Sequence, residues 1–168
     1  MNSSDFSIIT EFAVAVAGFS GIAIAISHQG GALSPLDQFR TLNLLTWALS
    51  AAFASTFPLV AESFGFAGPA IWQFTSVGFA LILLLGLLER FLTARRIAPS
   101  DRTQLSSGVW ALTVGGNSVL IVWQFINALG VFGQPSAAPI LVGLLFVLAV
   151  SALIFVRLLI FRAGSRAA

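Results

Sequence analysis

Five long apolar stretches divide the chain, and short polar breaks separate them. The stretches cover residues 7–27, 39–64, 70–92, 107–131 and 139–161. As a helix rising about 1.5 Å per residue, each is long enough to cross the ~30 Å hydrocarbon core of a bilayer. Backbone groups in lipid must be hydrogen-bonded within the protein, which favours helices. The pattern therefore predicts an all-α integral membrane protein, a compact bundle of five transmembrane helices in one domain, 1–168.

The first stretch is ambiguous, because "TEFAVAVAGFSGIAIAIS" (residues 10–27) alternates small and large apolar residues as a strand does. The other four stretches do not alternate, and a membrane barrel needs many short alternating segments. A helix is therefore favoured here too. No positively charged segment precedes the stretch, as it would in a secretory signal. We expect it to be retained as the first membrane helix.

The basic residues fix the expected orientation. All eight are arginines, and they fall on alternate connections and at the C-terminus: Arg40, Arg90, Arg95, Arg96, Arg102, Arg157, Arg162 and Arg166. Positive charge concentrates on the cytoplasmic side of membrane proteins. The distribution predicts five spans with the N-terminus outside and the C-terminus in the cytoplasm. A four-span chain, the alternative, would carry positive charge on both sides.

A weak internal repeat links the second and fourth stretches. "RTLNLLTWAL" begins at Arg40 and "RTQLSSGVWAL" begins at Arg102, so both read Arg-Thr, a gap, then Trp-Ala-Leu. The repeat suggests helix 1 plus a duplicated helical hairpin, an arrangement found in some transporters. Coincidence in a chain rich in leucine and alanine is the alternative.

Composition narrows the chemistry. Hydrophobic residues make up 58% of the chain and charged residues 8%, whereas a soluble domain carries about 25% charged residues. The chain has no lysine for a Schiff base or a phosphate-binding loop, no cysteine, and one histidine. We therefore expect no enzymatic activity, no catalytic residues, no cofactor and no metal site. The net charge of +2 gives no reason to expect nucleic-acid binding.

Helix 1 carries small residues at a spacing of four: Ala13, Ala17, Gly21 and Ala25, with Gly18 beside them. Small residues let two helix backbones approach closely in a membrane. The stripe predicts either an oligomer or partner contact, or ordinary packing within the chain. Both interpretations place helix 1 away from lipid.

Several polar residues fall within the apolar stretches and are candidates for a pore or an interhelix contact: Glu11, Asn117, Glu62, Gln73, Gln124 and Asn127. A carboxylate near the bilayer centre costs roughly 2.5–3.5 kcal/mol on insertion scales, and less near the interface. Glu11 therefore needs either contact with headgroups or a partner on the same, outer side of the membrane. The candidate partners there are Glu62, Gln73, Gln124 and Asn127. Asn117 follows two glycines in the middle of helix 4, which predicts a polar constriction, a bend or a packing hydrogen bond.

Residues on the cytoplasmic side suggest a vestibule or an anion site. The candidates are Arg40, Arg102, Arg95 and Arg96, and the alternative is simple contact with the anionic headgroups of the cytoplasmic leaflet. The four tryptophans are expected to form aromatic belts, Trp47 and Trp110 on the inner side and Trp72 and Trp123 on the outer side.

Three functions are consistent with these features. The first is a small oligomeric channel or transporter for an ion or small solute. The second is a non-conducting structural or accessory subunit, docked through helix 1, and the third is a lipid- or cofactor-binding membrane protein. A chain this small rarely encloses a transport path alone, so a homo-oligomer or a larger membrane complex is expected. The expected location is a bacterial inner membrane.

Overall fold

The computed structural model describes residues 6–27, 35–95 and 107–165, which form five α-helices. The helices are α1 (Ser7–Ser27), α2 (Pro35–Ser63), α3 (Pro69–Ala94), α4 (Ser107–Ala128) and α5 (Ala137–Ser165). No strand occurs in these three ranges. The prediction of an all-helical chain is confirmed over the part of the chain that the structure describes.

Four helical segments are long and apolar enough to cross a membrane: Gln38–Ser63, Pro69–Ala94, Ser107–Ala128 and Ala137–Arg157. By length and composition they indicate an integral membrane protein. Helix α1 is 21 residues long, and its segment Ser7–Phe19 is apolar but too short by itself to span a membrane. The fifth crossing therefore stays a prediction.

The helices pack around α2, which contacts α1, α3 and α5 along much of their lengths. Helix α4 packs chiefly on α3 and contacts α5 much less. Successive helices run in opposite directions, so the connections 64–68 and 129–136 lie at one end of the bundle, which we call the turn end. The opposite end, where α3 finishes, is called the Arg95 end.

Glycine backbone geometry shapes both connections at the turn end. Gly65 has a φ of 82° and Gly130 a φ of 66°, in the left-handed region that other residues rarely adopt. A Cβ on Gly130 would also lie 3.0 Å from the carbonyl oxygen of Gly133. These turns reverse the chain within a few residues, which sets α3 beside α2.

The core is built from large apolar side chains at the centre of the bundle. Leu44, Phe79, Leu83 and Leu144 are completely buried. Trp47 joins them with 1% of its surface exposed, and a Cβ on Gly86 would lie 3.3 Å from its indole ring. The expectation that Trp47 belongs to an aromatic belt is therefore wrong, because it fills the gap that Gly86 leaves between α2 and α3.

Helix α1 is attached to the bundle by its first turns. Phe6 is completely buried against Trp72, with 5.9 Å between ring centroids, and the hydroxyls of Thr10 and Ser55 lie 2.7 Å apart. Further along, Gly18 and Gly21 are exposed, with nothing within 4 Å of a Cβ built on either. The small residues of α1 thus divide between a packed face with Ala13 and an open face.

Candidate functional site

A buried polar stripe follows one face of α4. It consists of Thr113, Asn117, Gln124 and Asn127, each with 9% or less of its surface exposed. Their spacings of four, seven and three residues place them on the same side of an α-helix. This side of α4 faces the interior of the bundle, so the four polar side chains are buried among mainly apolar neighbours.

The turn end of the stripe is fully hydrogen-bonded. The Asn127 amide nitrogen donates to the Ser76 hydroxyl at 2.8 Å and to the Ser136 carbonyl at 3.0 Å. Its oxygen accepts from the Ser136 backbone N–H at 3.2 Å. Asn127 therefore links α4 to α3 and to the connection that precedes α5, which is a structural role.

Asn117 and Gln124 are only half satisfied. Asn117 Nδ2 donates to the Thr113 carbonyl at 2.6 Å, and Gln124 Nε2 donates to the Pro139 carbonyl at 2.9 Å. A carbonyl accepts only from a donor, so both amides must point their nitrogens at these groups. Asn117 Oδ1 and Gln124 Oε1 are then left buried with no donor among the described residues.

Glycines bring aromatic rings close to these two amides. A Cβ on Gly143 of α5 would lie 2.6 Å from the Phe79 ring and 3.1 Å from Gln124 Nε2. Gly116, next to Asn117, is in equally close contact with the Phe146 ring. The stripe is therefore enclosed by rings from α3 and α5, and the absence of a glycine side chain permits the close packing.

Arg90 lies near the other end of α3 and is also buried, with 4% of its surface exposed. Its guanidinium carbon lies 4.8 Å from the centroid of the Trp110 ring and 6.0 Å from that of Phe39. Its Nε and Nη1 atoms have no acceptor among the described residues. The guanidinium is thus surrounded by aromatic rings but incompletely hydrogen-bonded.

Sequence reasoning treated Arg90 only as one of several arginines beside a connection. The spacing of residues along α3 is the signal that indicates burial of Arg90. Ser76, Ala80, Leu83 and Leu87 are buried at intervals of three or four residues, and the next step of this series is Arg90. Glu89, the partner suggested by its neighbouring position, is exposed, and its carboxylate accepts from Thr93 at 3.4 Å.

Three other polar candidates from the sequence, two glutamates and one glutamine, are not part of the buried stripe. Glu11, Glu62 and Gln73 are exposed. The amide nitrogens of Gln124 and Asn127 donate to Pro139, Ser76 and Ser136 rather than to Glu11. The described residues contain no group of three histidine or acidic side chains suited to a metal ion.

The predicted cytoplasmic arginines are described only in part. Arg40 is half-buried near the start of α2, and Arg95 is exposed at the end of α3. Arg96 and Arg102 lie outside the described residues, as does the side chain of Ala25. Ala17 is half-buried on α1.

No protein-family model, curated protein or solved structure matches the chain.

Proposed function

We propose that the protein is a small membrane channel or transporter for an ion or small solute, with the polar stripe of α4 along its path. In this proposal α1 is a fifth span, the turn end is extracytoplasmic and the Arg95 end is cytoplasmic. The observation that carries the proposal is the pair of buried amide oxygens, Asn117 Oδ1 and Gln124 Oε1, that lack donors. Polar groups at membrane depth are costly and usually functional.

A comparison within the stripe supports a role beyond packing. An unsatisfied buried acceptor costs about 1–3 kcal/mol, so a polar group kept only for packing is normally satisfied. Asn127 meets that expectation with both of its amide atoms bonded. Asn117 and Gln124 do not, and their seven-residue separation sets them about 10 Å apart along the helix axis. They provide two successive acceptor positions across the apolar region.

The chemistry of these positions indicates the class of solute. A carboxamide oxygen coordinates a cation or accepts from an N–H or O–H group, and it repels an anion. We therefore expect passage of a small cation or of a neutral solute that carries hydrogen-bond donors. Chloride should pass poorly.

The remaining expectations follow from size and charge. A five-helix chain has few helices with which to enclose a path, so the working form is proposed to be a homo-oligomer or part of a larger membrane complex. Arg95 and its neighbours would face the anionic headgroups of the cytoplasmic leaflet. The proposed location is a bacterial inner membrane.

Flux through reconstituted protein tests this proposal. Liposomes containing the wild type, Asn117→Leu or Gln124→Leu are compared for K⁺, Na⁺ and urea flux, with chloride as the disfavoured solute. Ser118→Ala is the matched control, because Ser118 lies next to Asn117 but is exposed and bonds its own helix backbone. We expect both leucine variants to change flux of the permeant solute and the control to leave it unchanged. Absence of flux for every solute, or equal flux through all four proteins, would contradict the proposal.

A second candidate, a non-conducting accessory subunit, is favoured by the open face of α1. Gly18 and Gly21 are exposed with free space around them, which suits close approach of another helix. In that case no solute crosses the liposome membrane, and Gly21→Leu abolishes assembly. Native mass in a mild detergent separates the two candidates further, since a shared pore requires a closed ring of copies.

A further inference from the structure

We propose that Arg90 is the centre of a binding site for a phosphate-class anion at the Arg95 end of the bundle. The site consists of Arg90 with the rings of Trp110 and Phe39. Its ligand is the phosphate of a phospholipid headgroup or free phosphate. This inference does not depend on transport. It concerns the guanidinium of Arg90, near the end of α3 and the start of α4, and not the amides of the polar stripe.

The guanidinium of Arg90 is incompletely hydrogen-bonded. Nε carries one N–H and Nη1 carries two, so three of the five donors of Arg90 have no acceptor among the described residues. An arginine stays charged in proteins, so the group cannot lower this cost by losing a proton. With 4% of the side chain exposed, bulk water does not satisfy these donors either.

Aromatic rings lie around the guanidinium of Arg90. The guanidinium carbon lies 4.8 Å from the Trp110 ring centroid, a distance at which a cation is attracted to the face of an indole. Phe91 meets Trp110 edge to face at 5.8 Å between centroids, which holds the indole in place. Aromatic faces stabilise the charge but do not replace in-plane acceptors. The donors at Nε and Nη1 therefore stay without an acceptor among the described residues, and an anion that binds them must displace part of the packing around the guanidinium.

The charge of the guanidinium selects an anionic ligand. In-plane donors of arginine recognise carboxylate or phosphate oxygens with strong, charge-assisted bonds. The same end of α3 carries the exposed Arg95, and the start of α2 carries the half-buried Arg40. At the end of a membrane-spanning helix the anion at hand is the phosphodiester of a lipid headgroup, which carries one negative charge. These arginines attract it, and Glu89 beside Arg90 offsets part of their charge. This favours phosphate as the class of ligand.

Binding to the whole protein tests the site in two arms. In the lipid arm, protein purified in mild detergent is titrated with phosphatidylglycerol and then with diacylglycerol, which lacks the phosphate, and bound lipid is counted by native mass spectrometry. In the soluble arm, inorganic phosphate is titrated and tryptophan fluorescence is recorded. We expect saturable binding of phosphatidylglycerol or of phosphate, and none of diacylglycerol. Saturation in the lipid arm alone assigns the headgroup as the source, and saturation with phosphate assigns the free anion.

The variants identify the residue responsible. Arg90→Gln removes the charge and is expected to weaken binding roughly tenfold or more, the ratio that corresponds to about 1.4 kcal/mol. Arg95→Gln makes the same charge change at an exposed arginine and is the matched comparison. It lowers the local positive potential but removes none of the donors of Arg90, so binding should weaken much less than with Arg90→Gln. Arg90→Lys keeps the charge without the planar donors and should bind with intermediate affinity, which provides a test if Arg90→Gln does not fold. Equal binding by the wild type and both Arg90 variants, or no saturable binding in either arm, overturns the proposal.

Discussion

Gly115 and Gly116 are adjacent in α4 but have opposite surroundings. A Cβ on Gly115 would meet nothing within 4 Å, whereas one on Gly116 would overlap the Phe146 ring of α5. The difference arises because successive helical residues point about 100° apart, so only one of the two faces α5. The sequence Gly-Gly alone does not show which glycine is required.

We predict that Gly116→Ala destabilises the protein by about 1–3 kcal/mol, since the added methyl must displace a packed ring. Gly115→Ala is the matched control and should be neutral or stabilising by up to about 1 kcal/mol, because alanine is the better helix former. Thermal or denaturant unfolding in detergent measures both. A second change, Phe146→Leu, should restore part of the stability lost by Gly116→Ala. Equal effects of the two alanines would show that the Phe146 contact is absent.

Asn127→Ala should also destabilise the fold, by about 1–3 kcal/mol, because it removes the donor to the buried Ser76 hydroxyl and two part-buried bonds to the Ser136 backbone. Gln134→Ala, an exposed amide in the same connection, is the control and should have little effect. Unfolding midpoints of the two variants in the same detergent provide the comparison. An unchanged midpoint for Asn127→Ala would mean that water or lipid replaces its bonds.

The sequence identifies the amide side chains of the site, but it does not show which of them have all their hydrogen bonds. Asn117, Gln124 and Asn127 were recognisable because amides are rare within apolar stretches. Which amide is satisfied depends on Ser76, Ser136 and Pro139, which are up to 51 residues away in sequence. Arg90 and Trp47 were misjudged for a similar reason. Whether a side chain faces lipid, water or a neighbouring helix depends on packing, which the sequence of one helix does not determine.

At the scale of elements, the five helices were predictable because each follows from the length and apolar character of its own stretch of sequence. Their mutual packing was not. The hairpin of α4 and α5 is connected by a short turn, yet α4 packs mainly on α3, which it contacts through Asn127–Ser76 and Trp110–Arg90. The suggested duplication of hairpins stays a prediction.

Helix α1 gives a prediction of its own. Gly21→Leu should leave the unfolding midpoint of the isolated subunit unchanged, because a Cβ at Gly21 has free space around it. The same change should reduce self-association or partner binding if the open face of α1 is an interface, as measured by native mass. Ala13→Leu is the contrasting variant, since Ala13 is completely buried and its enlargement should destabilise the subunit itself. Loss of stability with Gly21→Leu would place that face inside the fold.

At the scale of the whole molecule, the proposed topology can be tested with single cysteines, because the natural chain contains none. With five spans, the variants Ser3→Cys and Gln134→Cys should react with a membrane-impermeant maleimide added to intact cells. Ser100→Cys should react only after the membrane is opened. The positive-inside rule gives the physical reason, since the arginines beside Ser100 remain in the cytoplasm. Protection of Ser3→Cys together with labelling of Gln134→Cys would indicate four spans.

The hydrogen bonds of α4 have a consequence for the order in which the chain enters the membrane. Helix α4 is the least apolar of the four long segments, and it carries Asn117, Gln124 and Asn127. Two of these amides bond to Pro139 and Ser136, which follow α4 in the chain and leave the ribosome after it. Until α5 arrives, α4 must hold unmet polar groups in or near lipid. During biosynthesis α4 should therefore wait beside α3 at the translocon. A chain in which a polar linker replaces the residues from Ser136 onward should insert α4 less efficiently than the full chain.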